Sequence, residues 1–195
     1  YINGQWTEST GTESFDSYNP ATGQLLSHTQ FGSEADADAA VQAAQVAQTA
    51  FARTTRQERL DMLQRIAESY KKHQEALVET VMQSHGAPRI LCERLQVPAG
   101  LMQVQAWSRV LADFAFEEKR GRHLLRQQPV GVSLCIPSWN WPLNGPMGVL
   151  LPSLAAGCAT VWKPSEHASA TAVLLTQVMH DAGLPPGVFN MVLGN

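Results

Sequence analysis

An α/β fold organised around a parallel sheet is what the last third of this sequence predicts, and three observations carry the prediction. Residues 130–136 (VGVSLCI), 159–163 (ATVWK) and 188–193 (VFNMVL) read as short strands. Between them lie helical runs, from about Asn144 to Ala156 and from Ser165 to about Ala182. Gly183 stands where a helix C-terminus belongs, with Pro185 and Pro186 just beyond it to stop the helix. Strand, helix, strand, helix, strand at this spacing calls for parallel strands joined by right-handed crossovers. The result is half of a doubly wound, nucleotide-binding sheet.

The elements before it follow from local chemistry. Residues 1–9 (YINGQWTES) and the stretch DSYNPATGQLL carry turn residues, Asn3-Gly4, Asn19-Pro20 and Thr22-Gly23, between short strand-like pieces. A small hairpin or meander on a surface is expected there. From Ser33 the chain turns helical. Ser33 with Asp36 three residues on makes a capping-box-like start, and Ala40, Ala44, Ala47 and Phe51 recur at helical spacing. A second helix starts at Thr55, with Glu58 completing a better capping box. Leu60, Leu63, Ala67 and Tyr70 form its inner stripe, Glu68 is placed to pair with Lys72, and a break is expected near Lys72-His73. The apolar run that follows is helical with an interruption around Pro98 and Gly100. The charged stretch EEKRGRHLLRQQ after it reads either as a projecting hairpin or as a solvated connector.

Composition narrows the function classes. The chain has 195 residues, 44% of them hydrophobic and 16% charged, with a net charge of −3. That is enough for one substantial core. No stretch approaches the ~20 apolar residues of a membrane span, no signal peptide is visible, and the scattered lysines and arginines form no nucleic-acid stripe. Cys92, Cys135 and Cys158 fall in no metal-like spacing. They predict free thiols, each a small buried hydrophobe, in a reducing and so cytoplasmic setting. The chain starts at Tyr1 rather than Met and stops directly after a strand, so a longer protein is expected. A half sheet ending at Val192-Leu193 would present an open edge on its last strand and favour association.

Ligands of such sheets bind outside the carboxyl ends of the strands. Asn140, in CIPSWNWPLNGP (135–146), follows the first strand, and Lys163, Ser165 and Glu166, in KPSE, follow the second. Both groups are therefore predicted on one rim. Asn140 offers a donor that does not titrate, suited to an oxyanion that exists only during reaction. It reads equally as a turn residue. Ser165 and Glu166 read equally as an N-cap and a first-turn acid with no ligand, the alternative role being Glu166 on ribose hydroxyls with Lys163 on the same adenosine half. His85 and His167 have no partners at catalytic spacing and read as surface or core residues.

YINGQW, YNPATG, PVGVSLCIPSWNWP, LPSLAAGCATVWKPSE and AGLPPGVFNMVLG occur in the order found in the aldehyde dehydrogenase superfamily, and across nearly its whole length the chain resembles the N-terminal part of such an enzyme. The resemblance implies a Rossmann-like cofactor domain. Residues 1–112 would be its N-terminal strands and helical cover, 113–130 a bridging hairpin for a homodimer or homotetramer, and 131–195 the first half of the dinucleotide-binding sheet, with no catalytic domain. It implies oxidation of an aldehyde to an acid with NAD(P)+ through a cysteine thiohemiacetal. Asn140 matches the oxyanion asparagine, while Ile136, Pro137, Ser138 and Trp139 match the strand exit that lines the cofactor. Lys163, Ser165 and Glu166 match the adenosine-ribose site. A carboxylate at Glu166 would repel a 2′-phosphate and tilts the choice to NAD+, with NADP+ kept open by Lys163. The nucleophilic cysteine, the base and the glycine-rich motif fall beyond Asn195 in the family, so the chain alone is expected to be inactive. Departures are Ser138 where the family often has proline, Val149 in place of a frequent lysine, and HGAP (85–88) in place of a GKP pattern. Rival readings are a non-catalytic nucleotide-binding or assembly module and a CoA-acylating or phosphate-reducing relative. The substrate itself is touched only through Trp141 and Asn144.

Overall fold

The computed structural model describes residues 1–194. Asn3 and Gly4, at φ 52° and 79°, close a tight turn bridged between Ile2 and Gln5. Strands β1 (Ser14–Tyr18) and β2 (Leu25–Gln30) pair antiparallel, with an irregularity at Ser17/Tyr18. Asn19 shapes the connecting turn, its Oδ1 accepting from the backbone N–H of Ala21 at 2.9 Å.

Helix α1 (Glu34–Phe51) carries the predicted capping box. Ser33 Oγ accepts from the Asp36 N–H, and the Asp36 carboxylate accepts from the Ser33 N–H. Helix α2 (Arg56–Lys72) begins with the same reciprocal pair, Thr55 and Glu58. It ends at His73, and α3 (Gln74–His85) follows at once, so the expected break is present. Its buried stripe is Met62, Leu63, Ile66, Ala67 and Tyr70, rotated slightly from the predicted one. Glu68 accepts from Gln64 Nε2 at 2.9 Å, with no ion pair to Lys72 among the described residues. The interruption expected around Pro98 and Gly100 falls earlier. A short turn α4 (Arg89–Leu91) passes through a π-helical segment (Cys92–Gln96) into α5 (Val97–Asp113), which runs straight through both residues. Pro98 removes one backbone donor from this continuous helical run, and it does so directly after the π-helical segment, where the Val97 N–H reaches back to the Cys92 carbonyl.

The charged stretch forms an antiparallel ribbon of β3 (Glu117–Arg120) and β4 (His123–Arg126), exposed on both faces and turned at Gly121. Ion pairs of Glu117 with Arg126 and Glu118 with Arg120, each at 2.8 Å, lace it.

The parallel sheet has the order β5-β6-β7: β5 (Ser133–Cys135), β6 (Thr160–Trp162) and β7 (Phe189–Met191). Each strand is shorter than its apolar run. β5 is bounded by Gly131, at φ 120°, and by Pro137, which has no N–H to pair. Helix α6 (Asn144–Ala156) links β5 to β6. A 3-10 turn (Glu166–Ala168) and helix α7 (Ser169–Asp181) link β6 to β7. Helix α6 packs on β5 and β6, α1 on β6 and β7, and α2 bridges α5, α6 and α7. Trp162, Phe189, Leu150, Leu154 and Leu175 fill the space between, all at most 2% exposed.

The open edge is not the predicted one. The outer side of β7 is occupied by the first residues. The backbone N–H of Met191 donates to the Tyr1 carbonyl at 2.8 Å, and the Tyr1 nitrogen donates to the Met191 carbonyl at 2.9 Å. Asn190 Oδ1 accepts from the Asn3 N–H at 2.9 Å. Among the described residues β5 pairs only with β6, and Leu134 within it and Ile136 just after it are 64% and 60% exposed. The exposed backbone edge lies at β5.

Candidate functional site

Registers of the parallel ladders align the carboxyl ends of the strands. The Lys163 N–H donates to the Cys135 carbonyl and the Val192 N–H to the Trp162 carbonyl, each at 3.0 Å. The residues leaving each strand therefore share one rim: Ile136 to Asn140 after β5, Lys163 to Glu166 after β6, and Gly194 after β7.

Beyond Ile136 the chain turns sharply through Pro137, Ser138, Trp139 and Asn140 before Pro142 and Leu143 bury themselves ahead of α6. Asn140 is exposed and Trp139 is 51% exposed. The two tryptophans therefore do not shield the amide from water within the described residues. Two polar contacts hold the turn. Ser138 Oγ donates to Asn140 Oδ1 at 2.7 Å, and His85 Nε2 lies 2.9 Å from the Trp139 carbonyl, which requires that nitrogen to carry the proton. Burial lowers the His85 pKa, opposed by this same bond to Trp139.

On the second strand exit, Lys163 Nζ donates to the Gly194 carbonyl at 2.9 Å and so ties the exits of β6 and β7. Ser165 caps the 3-10 turn, accepting from the His167 N–H, and its hydroxyl donates to Glu166 Oε2 at 3.2 Å. The Glu166 backbone N–H, Ser165, and the charges of His167 and Lys163 hold the Glu166 carboxyl below the usual carboxylate range. An ionised, half-buried carboxylate is an acceptor ready for sugar hydroxyls.

Trp139 lines an open cleft of about 520 Å³ with Phe15, Asp16, Tyr18, His85 and His167. Lys163 lines another of about 510 Å³ with Thr10, Gly32, Glu34 and Gly194. The two histidines, unpromising in the sequence, both meet Trp139: His167 edges its ring at 6.1 Å and His85 lies tilted at 6.3 Å. His85 lies 54 positions from Trp139 in the chain. Its only sequence mark is HGAP standing in place of a GKP pattern.

Cys92, Cys135 and Cys158 are free and at most 5% exposed. Burial pushes the thiols of Cys92 and Cys135 up, away from the thiolate a nucleophile needs. No cluster of metal-ligating side chains occurs among the described residues. None of their helices is long and apolar enough to cross a membrane.

A parallel sheet in sequential order, with a neutral amide leaving its first strand and a carboxylate leaving its second, defines a dinucleotide-binding class of α/β protein. Comparison with known proteins makes this specific. Residues 6–195 match the aldehyde dehydrogenase family, and the chain belongs to it. It is 37% identical over 196 residues to 3-succinoylsemialdehyde-pyridine dehydrogenase from a Pseudomonas species, covering 100% of this chain and 41% of that protein, in its N-terminal part. Among solved structures it is similar to a cysteine-to-alanine variant of aldehyde dehydrogenase C from Pseudomonas syringae, in complex with NAD+ and octanal. That match has a TM-score of 0.97 and 37% identity, over 100% of this chain and 40% of that one. A betaine aldehyde dehydrogenase variant from Staphylococcus aureus with NAD+ matches at a TM-score of 0.92 and 28% identity, over 100% of this chain and 41% of that one. The chain thus spans about 41% of the length of such relatives. Its predicted fold class and family resemblance are borne out.

Proposed function

We propose that this chain is the N-terminal part of an NAD(P)+-dependent enzyme that oxidises an aldehyde to a carboxylic acid, with Asn140 as the oxyanion donor. The observation that carries the reading is the position of Asn140. It leaves the carboxyl end of β5, on the rim shared with Lys163 and Glu166, with its amide held at the oxygen end. The family relatives crystallised with NAD+ support the cofactor.

In this reading the residues divide the work. Glu166, already ionised, accepts from ribose hydroxyls, with Ser165 holding its carboxylate and Lys163 positioned from the same exit. Ile136, Pro137, Ser138 and Trp139 form the wall along the dinucleotide. Repulsion between the Glu166 carboxylate and a 2′-phosphate favours NAD+ over NADP+. When bound, the nicotinamide accepts the hydride. Asn140 Nδ2 donates to the aldehyde oxygen as negative charge builds on it under attack by a cysteine thiolate from outside residues 1–195, the buried thiols here being unsuited. The amide is neutral, so its donation does not depend on pH. The exposed β3–β4 ribbon serves as the arm that joins subunits into a homodimer or homotetramer, and three free thiols fit a cytoplasmic protein.

The test is Asn140→Ala in the complete protein, assayed with NAD+ and octanal. Loss of one oxyanion donor lowers kcat by about 10²–10³-fold. Turnover within about three-fold of wild type would remove Asn140 from the chemistry.

A further inference from the structure

Asn140 can serve an oxyanion only in one of its two amide orientations. A half-turn about the last side-chain bond exchanges NH2 for C=O, and a carbonyl oxygen facing a developing oxyanion repels it. Asparagine side chains choose between such orientations by the hydrogen bonds they find. For Asn140 the described residues supply one, from Ser138 Oγ to Oδ1 at 2.7 Å. Both N–H bonds of Nδ2 are left without a protein partner among those residues. A serine hydroxyl accepts as well as donates, so the opposite orientation would keep a bond to Ser138, from Nδ2, but turn the carbonyl outwards; in the structure the hydroxyl donates and the NH2 is the free end.

Ser138 stands where the related family often carries proline, which has no hydroxyl and cannot address the amide. The backbone between Ser138 and Asn140 is held as well, since His85 Nε2 donates to the Trp139 carbonyl at 2.9 Å. A donor on Oδ1 also withdraws electron density from the amide, which makes its N–H groups better donors. In the recorded orientation Ser138 therefore anchors the Asn140 amide by its oxygen and strengthens its N–H groups as donors.

We propose that Ser138 is a positioning residue, whose hydroxyl holds the Asn140 amide with its NH2 facing the reacting carbonyl oxygen. This rests on the oxyanion role of Asn140. It gives Ser138 a task separate from lining the cofactor.

The experiment measures kcat and KM for octanal with NAD+ in the complete enzyme, for Ser138→Ala, Ser138→Thr, Asn140→Ala and the Ser138→Ala/Asn140→Ala pair, with the melting midpoint recorded for each. Ser138→Ala is expected to lower kcat about ten-fold while KM for NAD+ and octanal stays within about two-fold. Ser138→Thr, which keeps the hydroxyl, restores most of the loss. In the Asn140→Ala background the Ser138→Ala change has no further effect on kcat, because the amide it orients is gone. An unchanged kcat in Ser138→Ala overturns the proposal, as does an equal fold-loss in both backgrounds. So does a rise in KM for NAD+ without a fall in kcat, which would return Ser138 to cofactor lining alone. Wild-type turnover in Asn140→Ala overturns instead the underlying oxyanion reading.

Discussion

Asn190 is the buried polar residue on which the last strand depends. It is 0% exposed, in the middle of β7. Its Oδ1 accepts from the Asn3 N–H at 2.9 Å, and its Nδ2 donates to the Gly187 carbonyl at 2.8 Å and to the Thr160 carbonyl at 3.3 Å. One side chain thus joins the first turn of the chain, the loop before β7 and the neighbouring strand. Asn190→Leu keeps the branching and heavy-atom count in a bulkier side chain, so no cavity opens, the hydrogen bonds are lost and any overpacking only adds to the cost. Two good bonds at ~1 kcal/mol each, a longer one at about half that, and partners left wanting in a dry site sum to roughly 2–4 kcal/mol. Urea unfolding of the complete protein, followed by tryptophan fluorescence, reads this as a lower midpoint at unchanged m. With m near 2 kcal/mol/M the shift is about 1–2 M. A shift below ~0.3 M would refute the reasoning, because it would mean that the apolar side chain recovers in packing all that the amide held.

Two further perturbations test other joints. Asp36 accepts from the N–H of Ser33 at 2.8 Å and of Thr10 at 2.9 Å, bonds that hold its carboxyl at about 2, below its ordinary value of 3.8. A depressed folded pKa contributes stability above the unfolded value and loses it as pH falls. Asp36→Ala is therefore expected to cost about 1 kcal/mol at neutral pH, after discount for solvent screening, and the gap to wild type closes between about pH 4 and pH 2. Melting curves across that range check it, and a pH-independent gap would contradict the charge argument. At Gly100 a Cβ would lie 3.0 Å from Tyr70 Cζ and nearer still to the hydroxyl, which donates to the Val97 carbonyl at 2.8 Å. Gly100→Ala forces that buried ring aside at a cost of about 2–4 kcal/mol. A melting midpoint equal to wild type would show that α5 yields instead.

What the sequence made legible is what local chemistry determines. Both capping boxes, the break at His73 and the helix limits Asn144 and Ala156 need only residues three or four apart or a change of period. The strands were legible by position but not by length, because Gly131 and Pro137 cut β5 short from both sides. Sequence alone could not say which strand edge is open. Tyr1 and Met191 meet across 190 positions, and no local pattern foretells that pairing. His85 was passed over for the same reason, since its partner Trp139 is distant in the chain. Ser138 was visible as a departure from a family pattern. Its meaning came only with the rotamer that turns its hydroxyl to Asn140.

The corrected edge also bears on where the site lies. In a doubly wound sheet the strands run outward from the first in one direction and then resume on its other side, and ligands bind where the order reverses. Here β5, β6 and β7 run outward in sequence, so in a sheet of that kind the reversal would fall beside β5, the edge left unpaired among the described residues. Asn140 follows that strand directly. The apolar residues exposed along the same exit, Leu134, Ile136 and Trp139, are those that a strand and a cofactor at the reversal would cover. Exposed apolar side chains at this strand exit, beside the neutral amide of Asn140, fit the proposed reading of the rim as part of a cofactor site. A subunit interface would cover apolar side chains too, so what favours the proposed cofactor reading is that these lie at a strand exit, where such sheets bind ligands.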